Sequence, residues 1–388
     1  MRPRRYQLTK DAVSIIARGH PWIFREQLST AAQVFHDGDL LRLVDGTNTV
    51  VAHGTYESEG AIAIRILRRG PDRPDASYVS KLLETALARR VPLAARTDGI
   101  RLVHGESDGL PAVVADQFGD TIVTTSYATG SDALARYVAR SLRPRAPNIL
   151  LKPAHRRRAS TQAPQLTRVL FGAGTELAWF TEDNLRFAVD LAEGHKTGTY
   201  LDLRGLRQAI ATTPLAGARV LNLFAYTGML GRAAEAAGAA SITHVDQSAR
   251  ALEFARTHHA LDTARHTYVA ADIFQWLPTL DPAALFDLVI VDPPAMTSRK
   301  SQVPNALAAY RKLYGAARAH VRPGGILVAA CCTSRIERAI FHGTVRDALG
   351  ADFTMERELP PEVDHPVTFP QSDYLKIGWW RRADAQPS

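Results

Sequence analysis

Two adjacent cysteines close an apolar segment near the end of the chain. The stretch LVAACCTSR, Leu327–Arg335, contains Cys331 and Cys332, and the 388 residues include no other cysteine. Neighbouring cysteines cannot staple a fold, and no Cys-x-x-Cys spacing suggests zinc, so we predict no metal site. Successive strand side chains point to opposite faces, so we expect Cys331 to pack in the core and Cys332 to face a pocket. There Cys332 is either a nucleophile or an inert buried thiol.

The residues after the cysteines favour an ionised thiol. Thr333 and Ser334 have side chains that commonly cap helices. We therefore expect a helix over Ile336 to about Leu349 to begin close to Cys332. The N-terminus of a helix lowers the pKa of a nearby cysteine, so this placement would activate Cys332.

Aspartates stand where several predicted strands end. Asp246 and Asp272 each follow a strand-like segment, and ligands of open α/β sheets bind beyond the carboxyl ends of the strands. Asp246 has the chemistry to accept hydrogen bonds from a ribose diol, and Asp272 to hold an adenine amino group. The alternative for each is a plain cap of the following helix.

A third aspartate opens a rigid loop. Asp292 precedes Pro293 and Pro294, which lack N–H groups and fix the backbone. The sequence is near the [DN]-P-P-[YFW] motif of methyltransferases that act on nucleobase amino groups, but Ala295 replaces the aromatic residue. The alternative is a turn in which Asp292 caps a helix.

The loop after the first strand of this region distinguishes between nucleotide cofactors. A nicotinamide site requires G-x-G-x-x-G, whereas this loop has only Gly228 and Gly231. S-adenosylmethionine carries no phosphate and needs no glycine-rich cradle. We therefore predict an S-adenosylmethionine site and disfavour a nicotinamide-dependent dehydrogenase.

These residues belong to the last of three predicted domains. Short runs rich in β-branched residues predict a small β-barrel over residues 1–72, followed by a mixed α+β domain over residues 73–192. Residues 193–388 alternate apolar strands with helices, which predicts a doubly wound, Rossmann-like α/β domain. The fold class is therefore multidomain.

Composition sets the broader class. The chain is 46% apolar and 22% charged, as expected of a globular protein. We find no signal peptide and no apolar run as long as a membrane span, so we expect no membrane association and a cytoplasmic location.

Positive charge is concentrated in the middle domain. The formal net charge is +8, and residues 133–175 contain nine Lys or Arg residues but no Asp or Glu. This stretch includes Lys152 and the run His155–Arg158. It predicts either contact with nucleic-acid phosphates or a solvated surface.

The whole chain resembles the large-subunit ribosomal RNA cytosine-5 methyltransferases that carry an N-terminal PUA domain. The matching segments, in the order of that family, are GHPWIF (19–24), GESDGLPAVVADQFGD (105–120), GHKTGTYLDLR (194–204), LNLFAYTG (221–228), VDPP (291–294), CCTS (331–334) and DHPVTFPQSDYLK (364–376). The family has Ser-Cys-Ser at the fifth strand, with the cysteine as nucleophile. The resemblance implies that Cys332 is that nucleophile and that Cys331 and Thr333 replace the serines.

The resemblance also implies the rest of the site and the partners. Asp292 would contact the edge of the base, and Asp202 would border the methionine end of the cofactor. The predicted cofactor-binding residues are Phe224, Tyr226, Thr227, Gly228, Asp246, Gln247, Asp272, Ile273, Asp292, Tyr200 and Arg204. The predicted substrate is ribosomal RNA of the large subunit or its assembly intermediate, with the first domain as an RNA-binding PUA-like domain. A homodimer is a further implication.

The sequence also departs from the family. Leu203 stands where glutamine is usual, and ARTHHALD (255–262) replaces an Asn-rich helix. Relatives of this architecture modify different sites, and some methylate guanine. Two alternatives therefore stay open: a methyltransferase acting on guanine or another base without thiol catalysis, and a non-catalytic RNA-binding ribosome-assembly factor.

Overall fold

The computed structural model describes residues 3–29, 35–153, 167–194 and 197–384. The predicted basic run His155–Arg158 and two residues of the GHKTGTYLDLR segment lie outside these ranges. The chain divides into two compact units. One comprises Met1–Leu201 and Val363–Phe369, and the other comprises Asp202–Glu362 and Pro370–Ser388. The three domain boundaries given above therefore stay predictions.

The first unit begins with a small sheet and one helix. Its elements are β1 (Arg4–Gln7), α1 (Lys10–Ala17), β2 (Trp22–Phe24), β3 (Leu40–Val44), β4 (Val50–Tyr56) and β5 (Ile62–Arg69). The strands lie in the order β1-β3-β4-β5-β2, and β1 pairs with β3 in parallel. Ala12 and Ile16 of α1 pack with Leu41, Leu43 and Ile64 of the sheet in one apolar cluster.

The rest of the first unit is a second sheet with two helices and a hairpin. Its elements are α2 (Ala76–Arg90), β6 (Gly99–His104), β7 (Val113–Phe118), β8 (Thr121–Ser126), α3 (Asp132–Ser141), β9 (Asn148–Pro153), β10 (Arg168–Phe171), β11 (Leu177–Glu182) and β12 (Leu185–Asp190). The strand order is β10-β9-β8-β7-β6, and β11 pairs with β12. Apolar residues of α2 and α3 cover one face of this sheet.

Charged groups are buried in the same sheet. The Arg101 guanidinium pairs with the Asp116 carboxylate at 2.8 Å, and the Thr197 hydroxyl donates to that carboxylate at 2.5 Å. The Asp364 carboxylate accepts from the Arg101 backbone N–H at 3.0 Å. The segment Val363–Phe369 is thus tied into the first unit by polar contacts.

The second unit is an α/β domain. Its elements are α4 (Arg204–Ala211), β13 (Arg219–Leu223), α5 (Met229–Ala236), β14 (Ser241–Asp246), α6 (Ala249–His258), β15 (His266–Ala270), α7 (Ile273–Trp276), β16 (Phe286–Val291), α8 (Val303–Ala317), β17 (Val321–Cys331), α9 (Arg338–Leu349), β18 (Phe353–Leu359) and β19 (Lys376–Arg382).

Within the described part of this unit, one seven-stranded sheet has the order β15-β14-β13-β16-β17-β19-β18. The first five strands run parallel, and β19 is antiparallel to both β17 and β18. The chain order reverses between β13 and β16, and ligands of such sheets bind at this point beyond the carboxyl ends of the strands. The predicted Rossmann-like architecture is confirmed.

The helix predicted after the cysteines is present but begins two residues later than expected, and the prediction that Thr333 or Ser334 caps it was wrong. Helix α9 begins at Arg338, and Glu337 is its N-cap residue. Thr333 and Ser334 do not cap it, because the Thr333 carbonyl accepts from the Ile336 N–H in a separate turn at 3.2 Å. Five residues therefore separate Cys332 from the first residue of the helix.

Among the helices of the described ranges, none is both long enough and apolar enough to cross a bilayer.

Candidate active site

The loop between β13 and α5 has a strained backbone. Phe224 and Tyr226 have positive φ angles of 59° and 47°, although neither is glycine, and Gly228 has φ 77°. A non-glycine residue in this region costs about 1–3 kcal/mol and is most often found at functional sites. The Tyr226 N–H donates to the Asp246 carboxylate at 2.8 Å, which helps to hold the loop in this shape.

Buried histidines support the same loop from below. His259 Nδ1 donates to the Thr227 carbonyl oxygen at 2.5 Å, and the His259 side chain is buried. A Cβ atom at Gly231 would lie 2.2 Å from the ring of His244, so this position tolerates no side chain. Neither His244 nor His259 was predicted to have a role, because a lone histidine in a helical or strand pattern carries little signal.

Asp246 and Gln247 lie where β14 ends. One carboxylate oxygen of Asp246 accepts from Tyr226 and the other accepts from the Ser248 N–H at 2.8 Å. The carboxylate is half-buried, and each oxygen keeps a further lone pair for a ligand hydroxyl. The side chain of Gln247 is exposed.

Asp272 and Ile273 lie where the next strand of the sheet, β15, leads into α7. The Asp272 carboxylate accepts from the Phe274 N–H at 2.8 Å and thereby caps α7. Ile273 is only 1% exposed and packs in the core below. The helix-cap alternative is thus realised for Asp272, and its contact with adenine stays a prediction.

Asp292 and Cys332 end two neighbouring strands. Asp292 follows β16, Cys332 follows β17, and these strands pair in parallel. Cys332 is half-buried, and its Sγ lies 3.5 Å from the Pro293 carbonyl oxygen. Asp292 does not cap a helix, because α8 begins only at Val303.

The two cysteines have the predicted opposite surroundings. Cys331 is fully buried in the apolar cluster that includes Tyr310, Tyr314 and Phe341. Cys332 is accessible beside the loop of Pro293. The strand alternation therefore leaves Cys332 as the thiol that a substrate can reach.

Thr333 joins the cysteine strand to the Asp292 loop. Its buried hydroxyl accepts from the Met296 N–H at 3.1 Å and lies 3.0 Å from the Tyr310 hydroxyl. Burial raises the pKa of Tyr310, so the phenol stays neutral. Tyr310 was missed because its helical spacing is that of an ordinary core residue. Thr333 was assigned to a helix cap instead.

The junction before α4 carries the remaining predicted residues. The Tyr374 hydroxyl donates to the Asp202 carboxylate at 2.6 Å. Arg204 is 1% exposed and pairs with Glu362 at 3.0 Å. Tyr200 belongs to the first unit. The roles of Tyr200, Asp202 and Arg204 in cofactor binding stay predictions.

The donor set of the second unit fits a nucleoside without phosphates. The loop after β13 offers a strained turn and one glycine at the start of α5, and it has no run of glycine amides to hold a pyrophosphate. Carboxylates at the ends of β14 and β16 supply acceptors for hydroxyl and amino groups. These groups suit S-adenosylmethionine better than a dinucleotide.

Comparison with known proteins agrees with this geometry. Residues 148–374 match the family of S-adenosylmethionine-dependent methyltransferases, and residues 7–69 match a PUA-like domain. The chain belongs to this methyltransferase family. Its cofactor is S-adenosylmethionine, and the predictions of that cofactor and of a PUA-like first domain are confirmed.

Relatives of this methyltransferase extend over nearly the whole chain. It is 32% identical to a ribosomal RNA large subunit methyltransferase of Deinococcus radiodurans, over 96% of each chain. It is also 32% identical to the ribosomal RNA large subunit methyltransferase I of Shewanella denitrificans, covering 93% of this chain and 95% of the other. The crystal structure of SMU.776, described as a methyltransferase complexed with SAH, has the same fold, with 21% identity, TM-score 0.84 and coverage of 97% and 100%.

Proposed function

We propose that this methyltransferase transfers a methyl group to carbon 5 of a cytosine in large-subunit ribosomal RNA, through a covalent adduct with Cys332. The relatives named above carry the RNA part of the proposal. The accessible thiol at the end of β17, beside the Asp292 loop, carries the chemical part.

The covalent route answers a chemical difficulty. Carbon 5 of a pyrimidine is a poor nucleophile, whereas addition of a thiolate to carbon 6 makes carbon 5 electron-rich. In the first step the Cys332 sulfur forms a bond to carbon 6, and the ring electron pair moves to carbon 5. When bound, the cofactor supplies an electrophilic methyl group on its sulfonium sulfur.

Carbon 5 takes up the methyl group, and the bonding electrons remain with the sulfur that gave it. A base then accepts the proton of carbon 5, the double bond between carbons 5 and 6 re-forms, and Cys332 leaves as a thiolate. During these reaction steps Asp292 holds the edge of the base so that carbon 6 faces the thiol. A cytosine in a duplex must first be unstacked to reach it.

The neighbouring cysteine provides a matched control. We expect Cys332→Ala to abolish transfer of labelled methyl groups from S-adenosylmethionine to large-subunit ribosomal RNA, while Cys331→Ala keeps most of it. Bisulfite sequencing of the product RNA would locate the cytosine.

A trapping experiment tests the adduct itself. RNA containing 5-fluorocytosine cannot lose a proton from carbon 5, so it should stay attached to the protein in a denaturing gel, and only when Cys332 is present. Full methylation by the Cys332→Ala protein would rule out the covalent route. Methyl groups mapped to guanine would favour the thiol-independent alternative, and RNA binding without any transfer would favour an assembly factor.

A further inference from the structure

The helix that was expected to begin close to Cys332 begins two residues later than predicted, and Thr333 and Ser334 do not cap it. Because α9 begins at Arg338 behind a separate turn, five residues separate its first residue from Cys332. A cysteine used as a nucleophile at neutral pH needs another source of positive charge.

A buried lysine lies beside the same strand end. Lys376 is 1% exposed and opens β19, where it pairs with Cys331 in the antiparallel register. Its Nζ donates to the Thr333 carbonyl oxygen at 3.1 Å and to the Tyr374 carbonyl oxygen at 3.3 Å. The amine is therefore bonded to the residue that directly follows Cys332.

Four neighbouring groups affect how readily the Lys376 amine keeps its positive charge. Burial lowers the pKa of Lys376, and the Cys331 thiol, Asp373 and the Cys332 thiol act in the opposite direction. Arg338 also faces it and opposes its charge, but Arg338 is itself paired with Asp373. The Cys331 thiol and Asp373 act more strongly on the ammonium than the Cys332 thiol does, and the hydrogen bond from Nζ to the Thr333 carbonyl holds the amine at the residue that follows Cys332.

We propose that Lys376 is a positioning residue that keeps Cys332 reactive. Its two hydrogen bonds hold the backbone just after β17 and just before β19. Its ammonium favours the thiolate form of Cys332. The inference rests on the proposed nucleophilic role of Cys332 for its significance. Its test requires neither RNA nor cofactor, so it succeeds or fails separately from the proposed methylation.

The test measures thiol reactivity in the full chain. In a Cys331→Ser background Cys332 is the sole cysteine, and its alkylation by iodoacetamide is followed by mass spectrometry as a function of pH. We expect Lys376→Gln, which keeps a hydrogen-bond donor but loses the charge, to move the midpoint of the rate profile up by about one pH unit. Below the midpoint the rate should fall about tenfold. Lys376→Arg should restore a profile close to that of the parent.

Two controls keep the result decisive. Lys312→Gln removes a positive charge from the exposed face of α8 and should leave the profile unchanged. The parent protein, measured in native buffer and in urea, should have its midpoint at lower pH when folded, and this comparison needs no substitution of Lys376. A Lys376→Gln profile that coincides with that of the parent would overturn the inference. A folded midpoint no lower than that in urea would overturn it as well.

Discussion

Lys152 in the first unit is buried at a cost to stability. Its side chain is 1% exposed, and its Nζ has no hydrogen-bond partner among the described residues. It lies on β9, next to Thr125 of β8 in the parallel register. Burial lowers the pKa of Lys152 to about 8, against an attraction to Asp190 that raises it.

The size of the effect follows from linkage. The ordinary lysine pKa of 10.5 falls to about 8 on folding. Each unit corresponds to about 1.4 kcal/mol, so the buried charge destabilises the fold by about 3 kcal/mol below pH 8. Between pH 8 and 10.5 the unfolded chain still binds a proton that the folded chain has lost. Stability therefore rises with pH across this window, and the penalty vanishes above it.

Replacement by an apolar residue of similar length should remove the penalty. We expect Lys152→Met to raise the free energy of unfolding of the first unit by about 2–3 kcal/mol at pH 7, and the gain should shrink steadily towards pH 10. Urea unfolding at pH 7 and pH 9.5 measures both values, and Lys312→Met at an exposed position is the matched control.

The opposite sign would refute this reasoning. A Lys152→Met protein that is less stable at pH 7 would mean that the ammonium gains more from Asp190 than it loses by burial. A gain of the same size at both pH values would mean that apolar packing, and not the charge, is responsible.

Two further predictions concern the second unit. Thr333→Val leaves the half-buried Met296 N–H without its acceptor and removes a partner of the buried Tyr310 hydroxyl. This substitution should lower the free energy of unfolding in urea by about 1–3 kcal/mol and lower the methyl-transfer rate, whereas Thr333→Ser should preserve both. Burial and the neighbouring His266 lower the pKa of His244 to about 3. Between pH 6.5 and 3 the unfolded chain therefore binds a proton that the folded chain does not bind. Unfolding free energy should fall as the pH drops through this window, and His244→Asn should flatten that decline; an unchanged acid profile would contradict it.

The sheet of the second unit was predictable because its central strands are nearly continuous apolar runs. Segments such as FDLVIVD and GGILVAAC place apolar side chains on both faces of a strand, which indicates that both faces are buried. The strand-end positions of Asp246, Asp272, Asp292 and Cys332 followed from that reading. Helix α4 was not predicted, because its apolar residues become periodic only over two turns.

The local roles at the site were harder to predict, since they depend on partners distant in sequence. Thr333 is an ordinary candidate for a helix cap until Met296 and Tyr310 are placed beside its hydroxyl. Lys376 opens the apolar run KIGWW and looks like the polar start of an edge strand. Only the insertion of β19 between β17 and β18 buries its amine.

That insertion explains how adjacent cysteines can have such different surroundings. An antiparallel strand beside β17 brings the Lys376 amine to the end at which the parallel strands present their functional groups. Cys331 points into the apolar cluster under α8 and α9, where a charge would be costly. Cys332 follows at the strand end, where it is half-buried and its Sγ lies 3.5 Å from the Pro293 carbonyl oxygen. Under the proposal for Lys376, the sheet order thus supplies the positive charge that a helix N-terminus was expected to supply. In a Cys332→Ala protein we expect that Cys331 does not replace the proposed nucleophile, because its thiol is buried in the apolar cluster.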